Sequence, residues 1–152
     1  MSKVDKDELV FLPLGGVGEI GMNLGLYGLG PRRDRTWMMV DLGVTFGDET
    51  TPGVDLIYPD ISFIEEHKDR LAGIVITHAH EDHYGAILDL WPRLGVPLYA
   101  TAFTAGLLEA KAAENRGSKP VPVTIVEQGA RIEVGPFEVE LVPMSHSIPE
   151  PN

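Results

Sequence analysis

Thr77-His78-Ala79-His80-Glu81-Asp82-His83 is the stretch on which the rest of the chain is organised. It follows the apolar run Ile74-Val75-Ile76 and precedes the small residues Gly85 and Ala86. This is the pattern of a buried strand that ends in a turn carrying three imidazoles and a carboxylate. His78 and His80 are two apart, so on an extended segment both rings reach one cation. Asp82 and His83 follow where the strand turns over and address a second position a few ångströms away. Neutral imidazole and carboxylate suit zinc, and also manganese or iron. A lone histidine would pass for a turn or cap residue. Four donors on one bend would repel when charged and gain nothing from burial unless a cation collects them. His146, in Met144-Ser145-His146-Ser147, follows Leu141-Val142-Pro143 at a strand end and is a credible fifth donor. Two metals ~3.5–4 Å apart can clamp both oxygens of a phosphoryl or acyl transfer.

Composition narrows the field. The chain has 152 residues, 43% hydrophobic and 23% charged, which fits one domain with a core. It has no cysteine, so disulfides, thiolate zinc sites and a cysteine nucleophile are excluded. No apolar run is long enough to span a membrane, and the charged start Met1-Ser2-Lys3-Val4-Asp5 is not a secretory signal. The expected compartment is the cytoplasm. The formal net charge of -11 makes the chain a poor general grip on phosphates, so any nucleic-acid contact depends on bound cations or on basic surface elsewhere.

Upstream, Val10 to Leu14 reads as a first strand, followed by Gly15-Gly16-Val17-Gly18-Glu19-Ile20-Gly21. Gly16, Gly18 and Gly21 match the dinucleotide fingerprint, with Asp41 at about the required ~20 residues beyond. That reading needs a helix after the glycines. Met22-Asn23-Leu24-Gly25-Leu26-Tyr27-Gly28-Leu29-Gly30-Pro31 alternates apolar and glycine residues and suits a strand and turn. A glycine turn between two strands is therefore favoured, and no dinucleotide is expected. Arg32-Arg33-Asp34-Arg35 reads as a solvated hairpin tip rather than a nucleic-acid patch. Asp41, at the end of the strand Trp37 to Val40, is either a cap or a buried carboxylate orienting a metal-binding loop; the stretch alone does not choose.

Residues 47–58 read as a loop. A helix follows from Pro59-Asp60, with Ile61, Ile64 and Leu71 as its apolar face and His67 on its wet side. Tyr84 to Leu90 predicts a helix that Pro92 ends, kinks or restarts. Val96 to Ala100 is a strand, and Thr101 caps a helix from about Ala102 to Arg116 that Gly117 stops. Lys111, Arg116 and Lys119 read as a solvated face. Thr124 to Val126, Arg131 to Val134 and Phe137 to Val142 are strands, with a hairpin turn at Gly135-Pro136. The prediction is an α/β (α+β) architecture: a mixed sheet with helices on one face.

His78-x-His80-x-Asp82-His83 after an apolar strand resembles the metallo-beta-lactamase superfamily. Gly15 to Gly21, Asp41-Leu42-Gly43, Pro59-Asp60-Ile61 and Ser145-His146-Ser147-Ile148-Pro149 extend the likeness to the ribonuclease J family, of the beta-CASP branch, along essentially the whole chain. The resemblance implies an αββα sandwich and an enzyme that cleaves RNA from the 5′ end and internally. It implies two zinc ions in a complete site, with manganese as an alternative. His78, His80 and His146 would hold one, Asp82 and His83 the other, with Asp41 as support. Asp82 and His83 would carry the chemistry, a metal-bridging hydroxide attacking the phosphodiester. The family places a further aspartate, a last histidine, the beta-CASP domain and a C-terminal domain beyond the point this sequence reaches. Residues 1–152 are thus expected to be the N-terminal portion of the catalytic domain, inactive alone, prone to associate through an uncovered sheet face, and homo-oligomeric when complete. The motif by itself also admits a thioesterase or lactonase, or a metal-stabilised scaffold without catalysis.

Overall fold

Glycine alternation in the second strand sets how the first sheet layer packs. Strand β2 (Leu24–Gly30) pairs antiparallel with β1 (Glu8–Gly15) and with β3 (Thr36–Val40). A Cβ on Gly28 would stand 2.6 Å from the Trp37 ring, and one on Gly25 2.8 Å from the Phe11 ring. The glycines are what let these two aromatic rings lie flat on the sheet, one on each face. The computed structural model that shows this describes residues 6–115 and 120–152. The expected helix end at Arg116, its stop at Gly117, Lys119 and the N-terminal residues 1–5 lie outside the described residues.

The chain continues through a two-stranded ribbon, β4 (Thr45–Phe46) just before the region expected to be loop and β5 (Leu56–Ile57) inside it. Helix α1 (Ser62–Glu66) and a 3₁₀ turn at Lys68–Arg70 lead into β6 (Leu71–Val75). Leu71, expected on the helix, is therefore the first residue of a strand. The continuous apolar run of β6 is the signature of a strand buried on both faces. Two short helices follow, α2 (Glu81–Tyr84) and α3 (Ile87–Leu94), then β7 (Leu98–Ala100), α4 (Ala102–Glu114) and β8 (Val123–Ile125). Pro92 does not end α3; the helix runs through it and stops at Gly95, whose φ of 66° is the left-handed conformation of a helix stop. The hairpin β9 (Arg131–Val134) and β10 (Phe137–Glu140) closes the described fold, turning at Gly135.

Six strands form one sheet in the order β1-β2-β3-β6-β7-β8, antiparallel from β1 to β3 and parallel from β3 to β8. On one face Leu24, Leu26, Met39, Ile74 and Leu98 meet Ile64 of α1, Ile87 of α3 and Leu108 of α4. On the other face Met38 and Val75 meet Val134 and Phe137 of the hairpin. The sheet is mixed and its helices share one face, as the sequence predicts. Leu9 and Phe11 of β1 point to the hairpin face and remain 66% and 53% exposed.

Both parallel strands β3 and β6 end at the same edge. Asp41 follows one and Thr77 the other, and this is what brings two distant stretches of sequence into one site.

Met39 is fully buried in the helix-side core, so Met39→Ala is expected to lower unfolding free energy by about 2–5 kcal/mol. Leu9→Ala is expected to change it by less than about 0.5 kcal/mol. Urea denaturation midpoints for the two variants check this ordering.

Candidate metal centre

After β6 the chain leaves the sheet extended, and His80, at φ -76° and ψ 144°, precedes the first turn of α2. Three loops are knitted together here by their backbones. Leu42 N–H donates to His83 O at 2.8 Å and Val44 N–H to Glu81 O at 3.0 Å. Ala86 N–H donates to Leu42 O at 3.0 Å, and Asn23 N–H to Asp82 O at 2.9 Å. Gly43 is where the Asp41 loop crosses the metal-motif turn: a Cβ there would lie 1.7 Å from Asp82 O. No other residue fits without moving one loop.

Asp41 is buried and has a φ of 64°, a left-handed conformation that aspartate tolerates at some cost. Its Oδ1 accepts from Thr77 N–H at 2.8 Å, and both its oxygens lie within 3.0 Å of Thr77 Oγ1. Its Oδ2 accepts from His83 Nδ1–H at 2.7 Å. Of the two sequence readings of Asp41, this geometry is that of a carboxylate holding a loop, and no helix begins there to be capped.

Thr77 has one hydroxyl proton, and Asp41 takes it. The hydroxyl oxygen then accepts from His78 Nδ1, 2.9 Å away. That leaves His78 Nε2 with a bare lone pair, and it faces His80 Nδ1 at 3.1 Å. Two ring nitrogens this close need a proton or a cation between them. The ligand nitrogens of His78, His80 and His146 all lie within 4.8 Å of one another. Tetrahedral zinc with Zn–N of 2.0–2.1 Å separates its nitrogens by roughly 3.4 Å, so small side-chain rotations close the set. Donor type and spacing fit a divalent cation.

His83, its Nδ1 proton held by Asp41, turns Nε2 toward Asp82 Oδ2 at 3.4 Å. Its ring centroid is 4.0 Å from that of His78, so the Asp82–His83 pair adjoins the three-histidine group. Burial works to lower the pKa of His83, but the hydrogen bond and charge of Asp41, with the charge of Asp82, outweigh it and raise the value. His78 goes the other way. Burial, then the neighbouring imidazoles of His83, His80 and His146, lower it to about 4 against a smaller opposing pull from Asp82. At neutral pH His78 is an uncharged imidazole, the form a ligand requires.

His146 is exposed, yet the segment around it is tied down. Met144 N–H donates to Pro151 O at 3.1 Å, and Asn152 N–H and Nδ2 both donate to Thr77 O at 3.2 Å. Gln128 Nε2 donates to Pro151 O and Phe103 N–H to Glu150 Oε2, each at 2.8 Å. His67 is remote from this group; it stacks on Phe63 at 4.7 Å with Nδ1 2.8 Å from Phe63 O. The glycines 16, 18 and 21 lead into β2 and no helix follows them.

One contributor escaped the sequence reading. Asn23 Nδ2 donates to Asp82 O at 3.0 Å and Asp82 Oδ2 at 3.2 Å, and lies 3.3 Å from His83 Nε2. Met22, at φ 54°, turns the chain so that Asn23 points inward. A single amide in an otherwise apolar and glycine-rich stretch was the available signal.

Residues 50–152 match the family model of the beta-lactamase superfamily domain. The chain is 63% identical over 145 residues to a protein named Ribonuclease J from Sinorhizobium meliloti, covering 95% of this chain and 26% of that protein. It is 39% identical over 149 residues to Ribonuclease J from Helicobacter pylori, covering 97% of this chain and 21% of that protein. The chain thus spans about a quarter of the length of the relatives it matches. Among solved structures it is similar to a metallo-beta-lactamase from Pontibacter korlensis, at 22% identity and a TM-score of 0.42, covering 91% of this chain and 56% of that one.

Because of the close approach at Gly43, Gly43→Ala is expected to destabilise the fold by about 3 kcal/mol, at the upper end of overpacking effects. A thermal or urea melt indistinguishable from wild type would show that the Asp41 loop and the metal-motif turn do not pack as described.

Proposed function

The chain belongs to the beta-lactamase superfamily domain family, and from that premise we propose that it is part of the catalytic domain of a metal-dependent ribonuclease hydrolysing RNA phosphodiesters. The observation that carries the reading is the convergence of His78, His80 and His146 with the adjoining pair Asp82 and His83 on one edge of the sheet. Similarity to proteins named Ribonuclease J supports RNA as the substrate; cleavage both from the 5′ end and internally enters the proposal from the family resemblance of the sequence motifs.

In this proposal His78, His80 and His146 hold one divalent cation, and Asp82 and His83 contribute to a second. Zinc suits these nitrogen and oxygen donors best, and manganese is the alternative. Such a cation supplies Lewis acidity, making a water acidic near neutral pH and offsetting charge that builds on the phosphodiester.

The chain's own residues prepare the site. Asp41 fixes the tautomer of His83 and, through the Thr77 hydroxyl, that of His78, so each ring presents Nε2. Asn23 orients the Asp82 carboxylate by donating to it. His78, held neutral by burial and by its imidazole neighbours, keeps its lone pair available.

We place the chain within a longer protein that supplies the remaining ligands and a cover over the RNA cleft, and we expect residues 1–152 alone to turn over little RNA. The exposed Leu9 and Phe11 favour contact with further protein, whether the remainder of such a chain or a second copy. No helix among the described residues is long and apolar enough to cross a membrane, and a cytoplasmic location suits an RNA substrate.

Two measurements test this reading. Cleavage of 5′-monophosphorylated RNA by the longer protein is expected to vanish with EDTA and with His78→Ala; cleavage that survives both sinks the assignment. Asp41→Asn keeps the shape but removes the charge that His83 and Thr77 answer to. It is expected to weaken zinc binding by about 10–100-fold in calorimetry, the usual cost of losing a ligand-orienting partner. Unaltered zinc affinity would leave Asp41 with a folding role only.

A further inference from the structure

At the opposite end of the same strands lies a second concentration of charge. Arg35 immediately precedes β3 and Arg70 immediately precedes β6, whereas Asp41 and Thr77 follow their far ends. Five residues of strand put roughly 16 Å between the two ends. A cavity of about 510 Å³ opens there, within the usual range for small-ligand sites. Arg32, Arg33, Arg35 and Arg70 line it, four of the chain's 12 lysines and arginines, in a molecule of net charge -11. Its wall is aromatic: Phe63 meets Trp37 edge-on at 5.3 Å and stacks with His67 at 4.7 Å.

The local carboxylates do not use up this charge. Glu8 takes Arg35 through Nη2 at 2.6 Å, and Asp34 lies 3.4 Å from Arg70 Nη1. Arg70 Nη1 also donates to Arg33 O at 2.8 Å, which ties the 3₁₀ turn to the Arg-rich hairpin tip. Arg32 and Arg33 are exposed and form no ion pair with any described residue. Arg35 Nε is buried with no hydrogen-bond partner. With Arg35 and Arg70 answered by Glu8 and Asp34, the guanidinium groups of Arg32 and Arg33 remain at the cavity as positive charge that an anion can join, and an unanswered buried N–H is costly. Guanidinium forks match phosphate oxygens, and aromatic faces stack with bases or with guanidinium planes.

We propose that this cavity binds the phosphate of a nucleotide, with Arg32, Arg33 and Arg70 on the phosphate and the Phe63–His67 wall against the base. In the context of the nuclease reading, on which this identification of the ligand rests, the nucleotide belongs to an RNA strand held away from the metal centre. The pocket corrects the sequence reading of Arg32 to Arg35 as a mere solvated tip. Arg70 and Phe63 come from later stretches of the chain, and only the fold brings them to the tip.

The test is binding, measured in EDTA so that the metal centre is silent and cleavage plays no part. Adenosine 5′-monophosphate and a labelled pentameric oligoadenylate are titrated against the full chain and its Arg32→Ala/Arg33→Ala variant. Both positions are exposed, so the variant folds. Weakening of about tenfold for both ligands, with a salt dependence for the oligonucleotide flatter by about 0.7 for each phosphate that is no longer neutralised, supports an RNA subsite. Weakening for the mononucleotide alone also supports the phosphate pocket and makes a free nucleotide its ligand. Unchanged binding of both overturns the proposal, whatever the outcome of the cleavage assay. Phe63→Leu is the second variant. It is expected to reduce affinity for adenosine 5′-monophosphate severalfold while sparing ribose 5-phosphate; equal effects on the two would remove the aromatic wall from the site.

Discussion

A single carboxylate governs the geometry of the candidate centre. Asp41 accepts from the Thr77 amide, the Thr77 hydroxyl and the His83 ring. By doing so it joins the ends of two parallel strands to the first turn of α2. The proton assignments of His83 and His78 both follow from it, one directly and one through a shared hydroxyl. Burial makes these contacts strong, because solvent does not compete for them. It also makes the carboxylate costly to leave unanswered, and the left-handed backbone at Asp41 adds to that cost. Gly43, Asn23 and the small residues at 85 and 86 are the accommodations that surround it.

The two ends of the sheet differ in their chemistry. Where the parallel strands end, three imidazoles and a carboxylate–imidazole pair face one another. Where the same strands begin, arginines cluster beside an aromatic wall. The overall charge is strongly negative, and this separation is how an acidic chain presents local positive potential without a broad basic surface. The helix-covered face carries the larger core, and the hairpin covers only part of the other.

How much of this was legible in the sequence depended on whether the signal was local. Thr77 to His83 carries its chemistry in seven consecutive residues, and its flanks carried the family resemblance. The sheet and most of its helices were readable because apolar periodicity is a local record of burial. Asp41 was identified but left open, since a cap and a buried anchor look alike until the partners are known. Asn23 and the Arg70–Phe63 cavity were invisible, because each is defined by residues that only tertiary packing makes neighbours. Leu71 was assigned to the wrong element because a single leucine after a charged run fits a helix face and a strand start equally well. Pro92 proved compatible with α3, where packing of Leu90 and Leu94 against the sheet outweighs the lost amide.

The segment that delivers His146 is joined to the rest at both its ends: Leu141 is buried and bonded through its backbone to Gly129 and Ala130. Val142 and Met144 are exposed, and Asn152 reaches back across 75 residues to the carbonyl of Thr77. Beyond His146, Ile148 packs against the helix-side core, and Phe103 N–H and Gln128 Nε2 hold Glu150 and Pro151. Between these anchors residues 142–147 face solvent, and backbone with few buried contacts opens locally at less cost than the sheet beneath it. The centre thus sets one of its donors on a strap pinned at both ends, against a fixed anvil of Asp41, Thr77, His78 and His83.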